Sequence, residues 1–381
     1  YYEVVMNVYI NDLASFLPND PVDNANIEAV MGKVNALPSK VKAITLRSNK
    51  IKQRYYAIDP ATGAFTHNNA QLTAEAVRNL KPYDGFTPAD IECLCCGTTS
   101  PDLLLPGHAL MVAGELEMPP CDAVTTAGIC IAGMTAFKHA CMNVAAGYSK
   151  NAVATGSELA SSFLRADYFA VSADPAADLE KKPLLAFDAD FLRWMLSDGA
   201  GAAFLTGEKN PEGLSLRVDW IENISFAGEL ETCMYAGGWK TEDGRVTGWR
   251  AADSVMEAAL QNLLAVRQDV RLLGREIVTT KTRALEQVVA KHGLKAEDID
   301  WYLPHYSSHY FRDKFYDGMK AAGFDIPQEK WFTNLYTTGN VGAASIYLIM
   351  EDLFKSGELK PGQRLLCFIP ESGRFELVPL S

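Results

Sequence analysis

The sequence TPADIECLCCGTTS at residues 87–100 recurs in outline as KAEDIDWYLPHYSS at residues 295–308, an offset of 208 residues. Each copy follows an amphipathic helical pattern and contains an apolar strand pattern that ends in a loop rich in Ser and Thr. A second pair follows in the same order, because GICIAGMTA at 128–136 and GNVGAAS at 339–345 each begin a long helical stretch. Two ordered matches, at offsets of 208 and 211 residues, predict a duplicated unit.

The repeated order of strands and helices predicts an α/β fold in which helices pack on a mixed, mostly parallel sheet. Small residues begin both long helices, which is typical of a helix that is covered on all sides. The stretch Ser197–Phe204 is predicted to be the strand that closes the first half, so we divide the chain into residues 1–206 and 207–381. Residues 173–193 are rich in Pro, Asp and Lys and are predicted to form an inserted loop or lid.

Length and composition exclude several classes of protein. The 381 residues are 48% hydrophobic, which is enough for a large core and excludes a disordered chain. A net charge of −12 argues against nucleic-acid binding, which requires a clustered positive surface. The apolar runs fall far short of the roughly 20 residues of a membrane helix. No secretory signal begins the chain, although it starts at Tyr1 without Met, so we expect a soluble cytoplasmic protein.

Eight cysteines occur, and one of them differs from the rest by its context. The cluster Cys93–Cys96 has no second Cys pair or spaced His pair that would complete a metal site, so we predict a buried strand there and no metal. Cys130 instead stands at a strand-to-helix turn, where helix N–H groups lower a thiol pKa and bind an oxyanion. A reactive nucleophile and a buried, inert Cys are equally compatible with this position.

Two further residues gain meaning from the repeat. His305 ends the strand pattern of the second copy, at the end of a strand where α/β proteins usually bind ligands. Asn340 stands at the start of the second long helix and, taken alone, is an ordinary helix cap. If the halves are related by a two-fold axis, the two helix starts meet at the centre, so Cys130, His305 and Asn340 are predicted to form one site.

The chain resembles the thiolase-fold condensing enzymes, most closely β-ketoacyl-acyl-carrier-protein synthase III. The stretches that carry the resemblance are Ser197–Ala203, Asp300–His305, Thr338–Ser345 and Leu359–Gln363. The resemblance implies a duplicated five-layer α-β-α-β-α fold of two pseudo-symmetric halves. It implies that Cys130 accepts an acyl group, and that His305 and Asn340 hydrogen-bond the carbonyl of a second thioester.

The same resemblance implies a reaction and its partners. The reaction is a Claisen condensation of the Cys-bound acyl group with a malonyl- or β-ketoacyl thioester on acyl carrier protein, in specialised lipid or polyketide synthesis. No metal or redox cofactor is implied, since the phosphopantetheine arm comes from the carrier protein or coenzyme A. The family also implies a homodimer, with the loop Leu103–Pro106 near the partner's acyl tunnel.

Several positions depart from the family pattern. The family's Cys turn reads Ala-Cys-Ala-Gly-Phe, whereas residues 128–134 read GICIAGM, with one extra residue after the Cys. The second active-site Asn of the family is replaced by Ser308. The C-terminal turn, usually a run of Gly, contains Glu371, Ser372 and Gly373, and Glu158 is the counterpart of Glu371 in the other half. Each Glu is either a solvated or paired turn residue or a base for a second step.

These departures leave alternatives open. The ending Pro370–Phe375 resembles relatives that join two β-ketoacyl chains into a dialkylresorcinol or cyclohexanedione-type ring. A second alternative is an acyltransferase, or a non-condensing partner subunit. The N-terminal region keeps arginines but lacks the family's Trp that stacks on coenzyme A, which favours carrier-protein substrates. We expect Arg47, Arg54 and Arg312 to contact the carrier protein or its phosphopantetheine arm.

Overall fold

A computed structural model describes residues 7–36, 39, 41–166, 191–261 and 263–381. The predicted lid at 173–193 therefore lies outside the described residues, apart from its last three positions. The strands are β1 (Val8–Phe16), β2 (Val22–Asp23), β3 (Gln53–Arg54), β4 (Cys93–Thr98), β5 (Asp122–Ala127), β6 (Asn151–Glu158), β7 (Gly199–Thr206), β8 (Leu216–Val218), β9 (Ile224–Ser225), β10 (Met234–Tyr235), β11 (Gly238–Lys240), β12 (Val246–Gly248), β13 (Arg267–Gln268), β14 (Trp301–Pro304), β15 (Leu365–Pro370) and β16 (Glu376–Leu380).

The helices vary widely in length, and two long ones lie at the centre of the molecule. They are α1 (Ile27–Met31), α2 (Lys42–Asn49), α3 (Asn69–Arg78), α4 (His108–Glu115), α5 (Ala132–Ala145), α6 (Ser161–Leu164), α7 (Val255–Leu260), α8 (Val270–His292), α9 (Arg312–Ala321), α10 (Leu335–Thr338) and α11 (Ser345–Lys355). Among the residues that the structure describes, none of the helices combines the length and the apolarity needed to cross a membrane.

Two main sheets contain the repeated strands. In the described residues the larger sheet has six strands in the order β5-β4-β6-β7-β1-β8, with β4 parallel to both β5 and β6. The smaller has four strands in the order β14-β15-β16-β9, with β14 parallel to β15. One 3-10 turn precedes each repeated strand, Pro88–Asp90 before β4 and Ala296–Asp298 before β14. The two copies of the sequence repeat therefore fold alike.

The centre of the molecule is formed by α5 and α11, whose predicted close approach is confirmed. The hydroxyl of Tyr347 on α11 donates a hydrogen bond of 2.7 Å to the carbonyl oxygen of Gly133 on α5. A Cβ atom at Gly133 would lie 2.4 Å from the carbonyl oxygen of Ala343, so only glycine permits this contact. Close packing here brings together the starts of both helices. The division into two domains at residue 206 stays a prediction.

The region at 218–277, which sequence patterns leave unassigned, contains short pieces of structure. Two small antiparallel pairs, β10 with β13 and β11 with β12, precede the 23-residue helix α8. Helix α8 begins where the Asp269 carboxylate accepts a hydrogen bond from the backbone N–H of Leu272. Met234 of β10 and Gln268 of β13 line the cavity that also contains Cys130. The region therefore forms part of the wall around the site.

Candidate active site

Cys130 lies in the short turn between β5 and α5 and is 8% exposed. Its environment differs from the sequence prediction of a lowered thiol pKa, which is wrong. Burial, followed by the nearby charges of Glu371 and Glu158, raises the pKa of Cys130 well above its ordinary value. The resting group is therefore a neutral thiol, which would have to lose its proton before it could act as a nucleophile.

His305 follows β14 directly, and its backbone N–H donates a hydrogen bond of 3.0 Å to the carbonyl oxygen of Phe368. The residue is 3% exposed, and burial lowers the pKa of its imidazole to about 4. Within the described part of the chain its ring has no hydrogen-bond partner. The imidazole is therefore neutral near pH 7, with one ring N–H available as a donor to a ligand.

Asn340 is oriented by hydrogen bonds to its side-chain oxygen. Its Oδ1 accepts from the backbone N–H of Gly342 at 3.0 Å and from the hydroxyl of Ser345 at 3.4 Å. A backbone N–H can only donate, so the atom beside it must be the oxygen, and the other amide atom is Nδ2. No partner for Nδ2 occurs among the described residues, so this group is free to donate to a ligand.

The structure brings these three residues together. Cys130, His305 and Asn340 line one cavity of about 70 Å³, although their catalytic roles stay predictions. Apolar side chains from α8 and from the α9 region, including Ile277 and Phe315, form other parts of its wall. A thiol and two neutral donors thus share a pocket whose remaining surface is largely apolar and suits a hydrocarbon chain.

Glu158 ends β6 and also lines this cavity. Its carboxylate accepts hydrogen bonds from the backbone N–H of Ala343 at 3.1 Å, from Ser100 Oγ at 2.9 Å and from the Thr99 hydroxyl. Burial outweighs these bonds and raises the pKa of Glu158 to about 7. A carboxyl group with this pKa exchanges its proton near neutral pH, which suits a general base.

Glu371 is arranged differently, because its carboxylate faces its own turn. It accepts hydrogen bonds from the backbone N–H groups of Gly373 at 2.7 Å, and of Arg374 and Glu376 at 3.4 Å. It does not line the cavity, whereas its neighbour Ser372 does. A Cβ atom at Gly373 would lie 2.0 Å from the Glu371 carboxylate, so glycine permits this turn. The geometry favours a turn-stabilising role for Glu371.

Ser308 does not reach the cavity either. Its hydroxyl accepts a hydrogen bond of 3.3 Å from the backbone N–H of Tyr310 and caps the 3-10 turn His309–Phe311. Its neighbours Ser307 and Tyr306 line the cavity instead, and the sequence comparison with the family missed both. The only available signal was their position in the loop directly after His305. Thr99, another residue that lines the cavity, was also not predicted. It follows β4, the strand of the first half that corresponds to β14.

The three arginines predicted to contact the carrier protein lie in different environments. Arg47 on α2 is exposed. Arg54 is fully buried, with its guanidinium donating to the carbonyl oxygen of Trp194 and to Asn24 Oδ1, so a surface contact for Arg54 is wrong. Arg312 is half-buried and donates to Gln328 and to the Tyr306 hydroxyl. The guanidinium groups of Arg54 and Arg312 are therefore already engaged in hydrogen bonds within the protein.

The predicted absence of a metal can be compared with the side chains present. Within the described ranges, no group of three or more His, Cys, Asp or Glu is placed to hold a metal ion. The strand prediction for Cys93–Cys96 is confirmed, because these residues lie in β4 and are fully buried.

The chain is similar in sequence to known proteins. The family described as 3-oxoacyl-[acyl-carrier-protein] synthase III, C terminal, matches residues 289–369. The β-ketoacyl-[acyl-carrier-protein] synthase III of Nitratidesulfovibrio vulgaris is 27% identical over 371 residues, covering 94% of this chain and 93% of that protein. The enzyme of the same name from Allorhizobium ampelinum is 26% identical over 320 residues, covering 83% of both.

Solved structures show the same fold. AbyA1, a tetronic acid condensing enzyme, superposes with a TM-score of 0.74 at 22% identity, covering 98% of both chains. OleA of Xanthomonas campestris superposes with a TM-score of 0.73 at 18% identity, covering 100% of this chain and 99% of that one. These superpositions show the predicted thiolase fold, which this chain shares with AbyA1 and OleA. More narrowly, the chain is a relative of β-ketoacyl-acyl-carrier-protein synthase III, which confirms the predicted resemblance.

Proposed function

We propose that this protein is a ketosynthase, an acyltransferase that forms a carbon–carbon bond by Claisen condensation. A Cys130-bound acyl group condenses with a malonyl- or β-ketoacyl thioester carried by acyl carrier protein. The observation that carries the proposal is the cavity that Cys130 shares with His305 and Asn340, two neutral donors that have no hydrogen-bond partner among the described residues. Carrier-bound substrates would place the enzyme in the cytoplasm, and their phosphopantetheine arm would serve in place of a cofactor.

The first step transfers the acyl group to Cys130. The thiol attacks the thioester carbonyl, the bond to the carrier sulfur breaks, and the departing carrier thiolate takes up the proton that Cys130 loses. We expect backbone N–H groups at the start of α5 to stabilise the oxyanion. The apolar walls exclude water, which protects the acyl enzyme from hydrolysis.

The second step generates a carbon nucleophile at the second thioester, either by loss of carbon dioxide from a malonyl group or by transfer of a proton from a β-ketoacyl group to a base. Negative charge develops on its carbonyl oxygen, where the Asn340 Nδ2–H and the His305 ring N–H can donate hydrogen bonds. Because burial keeps His305 neutral, it stabilises the enolate without readily protonating it. The enolate carbon then attacks the Cys130 thioester, the new carbon–carbon bond forms, and the Cys130 thiolate leaves.

Reconstitution with defined carriers tests this proposal. We expect the protein to convert an acyl thioester and a malonyl- or β-ketoacyl carrier protein into a longer product with a new carbon–carbon bond. The product's mass and structure also separate the alternatives. A dialkylresorcinol or cyclohexanedione-type ring would establish the ring-forming alternative. Acyl transfer without a new carbon–carbon bond would show that the protein is an acyltransferase that does not condense its substrates. Absence of any acyl enzyme would favour a non-condensing subunit.

A specific observation favours the ring-forming alternative. Joining two β-ketoacyl chains requires removal of a proton between two carbonyls, and Glu158 is a cavity carboxylate whose pKa of about 7 suits that task.

We predict that Glu158→Gln slows condensation with a β-ketoacyl donor by about 10²-fold or more. The wild-type rate should rise with pH through about 7, as Glu158 loses its proton, and the variant should lose this dependence.

A matched control for Glu158 exists in the same protein. Glu371→Gln should slow this reaction far less than Glu158→Gln does, because the Glu371 carboxylate accepts hydrogen bonds from its own turn and does not line the cavity. A malonyl donor, which forms its enolate by losing carbon dioxide, should be far less sensitive to Glu158→Gln. If Glu371→Ala accumulates an uncyclised product while Glu158→Gln does not, Glu371 is the base instead.

The carrier protein is proposed to meet a basic surface that we name the α2 patch, formed by the exposed residues Arg47, Lys50 and Lys52. Lys50 Nζ lies 2.7 Å from Nε2 of His309, whose 3-10 turn follows the cavity residues Tyr306 and Ser307. An acidic carrier can therefore be attracted close to the loop that lines the cavity, despite the overall negative charge.

Charge reversal tests the α2 patch. The double variant Arg47→Glu/Lys52→Glu should raise KM for an acyl carrier protein by about tenfold, and added salt should reduce the difference. Its acylation by a small N-acetylcysteamine thioester should stay at the wild-type rate. Lys150→Glu is the control, because Lys150 is exposed just before β6, at the strand end opposite Glu158. An equal effect of Lys150→Glu would contradict a local docking patch.

A homodimer is proposed from the resemblance and from one apolar edge. Strand β5 ends the larger sheet of the described residues, and Leu103, Leu104 and Leu105 are 47%, 77% and 83% exposed. Light scattering is expected to show a dimer, and Leu104→Asp/Leu105→Asp should give a monomer, since charges cannot be buried unpaired. Leu260→Asp, at an exposed leucine on α7, should leave the mass unchanged. A dimeric Leu104→Asp/Leu105→Asp protein would exclude this edge.

A further inference from the structure

Lys281 stands one helical turn beyond the cavity wall. Leu273 and Ile277 on α8 line the cavity, and Lys281 continues the same four-residue spacing, so all three occupy one face of the helix. The Lys281 ammonium lies 4.9 Å from the centre of the Phe315 ring, and Phe315 itself lines the cavity. The ring of Phe315 is therefore shared between the acyl cavity and the surroundings of this lysine.

Lys281 is 1% exposed, and its Nζ has no hydrogen-bond partner among the described residues. The rings of Phe368, Phe315 and Tyr302 surround it, with centres 4.7, 4.9 and 5.5 Å from Nζ. Cation–π contacts of this kind replace only part of the hydration that a buried ammonium loses. Burial accordingly lowers the pKa of Lys281 to about 7.

A second unpartnered polar group belongs to the same aromatic cage. The Tyr302 hydroxyl is fully buried and, in the part of the chain that the structure describes, has no hydrogen-bond partner either. Buried polar groups are nearly always hydrogen-bonded, so two exceptions within one cage require an explanation. A ligand that supplies an acceptor there would satisfy both groups.

We propose that Lys281 and Tyr302 form a polar subsite at the far end of the acyl cavity, which binds a carboxylate at the distal end of an acyl chain. This inference rests on the proposed function, because it assumes that an acyl chain attached at Cys130 occupies the cavity. The chain follows the Leu273 and Ile277 face of α8, and the Phe315 ring turns aside to admit its end.

A carboxylate fits this subsite better than other chain ends. A methyl group leaves both polar groups unpaired, and a hydroxyl group leaves the charge of the ammonium uncompensated. A carboxylate accepts from the ammonium and from the phenol, and it supplies the opposite charge that a buried lysine requires. The enzyme would therefore select acyl chains derived from dicarboxylic acids over simple fatty acyl chains.

Competition between two thioesters tests the subsite. Wild-type protein is incubated with equal amounts of decanoyl- and ω-carboxynonanoyl-N-acetylcysteamine, and intact-protein mass spectrometry gives the ratio of the two Cys130 adducts. We expect the carboxylate-bearing adduct to predominate, and Lys281→Met to lower its ratio to the decanoyl adduct by about tenfold. Tyr302→Phe should lower the ratio by a smaller factor, and Phe315→Ala should raise it by opening the path.

The outcomes separate this inference from the proposed function. Adducts that form with a ratio unchanged by Lys281→Met overturn the subsite and leave the proposed function standing. No adduct from either thioester overturns both. Loss of the fold does not confuse the result, because a methionine of similar size fills the cage without burying an amine, and thermal melting verifies this. Tyr302→Phe, which removes only a hydroxyl, provides the second, independent measurement.

Discussion

Cys130→Ala is expected to abolish acyl-enzyme formation and to reduce condensation by about 10⁴-fold or more, because Cys130 is the only thiol among the described residues that line the cavity. The change removes one sulfur atom from a cavity wall, so the fold should remain. Intact-protein mass spectrometry after incubation with an acyl thioester measures the first effect directly, because the variant should lack the mass increase that one acyl group adds to the wild-type protein. Product formation with a carrier-bound donor measures the second.

Cys121→Ala is the matched control for this experiment. Cys121 is also a free cysteine, but it is partly exposed just before β5 and does not line the cavity. The Cys121→Ala protein should become acylated at the wild-type rate. If the Cys130→Ala protein still acquires an acyl group that survives denaturation, the nucleophile is another residue.

Asn340→Ala is expected to leave acylation of Cys130 within about threefold of the wild-type rate and to slow condensation by about 10²- to 10³-fold. The separation follows from the free Nδ2–H of Asn340, which donates only when charge develops on the second thioester. Single-turnover acylation and steady-state product formation measure the two steps separately. Equal loss of both steps would contradict the assigned role.

Two further variants distinguish lost chemistry from lost structure at this position. Asn340→Ala also leaves the Gly342 N–H without its acceptor, whereas Asn340→Asp keeps an oxygen there but replaces the NH2 donor with a carboxylate oxygen and adds negative charge. Both should block condensation. Ser345→Ala removes one of the two hydrogen bonds to Asn340 Oδ1 and should have a much smaller effect, about threefold.

Much of the fold was predictable because the two copies of the repeat could be compared with each other, so that each copy supported the elements predicted in the other. Two copies of one pattern indicated the strands that became β4 and β14, and the small residues indicated the buried starts of α5 and α11. The same symmetry placed Cys130 near Asn340, a juxtaposition that neither residue indicates alone. Residues 218–277 offered no such check, since their short strands and turns lack a periodic pattern.

Side-chain environments were less predictable than positions. Arg54 carries a charge that normally indicates surface, yet its guanidinium is buried and donates to the backbone oxygen of Trp194, 140 positions away, and to Asn24 Oδ1. Glu158 and Glu371 occupy corresponding turns, but only the Glu158 carboxylate faces the cavity. Ser307 rather than Ser308 lines the cavity, because the chain turns into a 3-10 helix between His305 and α9.

The sequence by itself determined the class of fold and the duplicated order of elements, and it indicated that Cys130, His305 and Asn340 would lie together. Periodicity and residue type carry this information, because they govern which face of each strand or helix is buried. Only the tertiary structure decided the protonation states: a neutral Cys130, a neutral His305 and a Glu158 that titrates near pH 7. These states depend on desolvation and on charges that are distant in sequence, and both arise only when the chain packs.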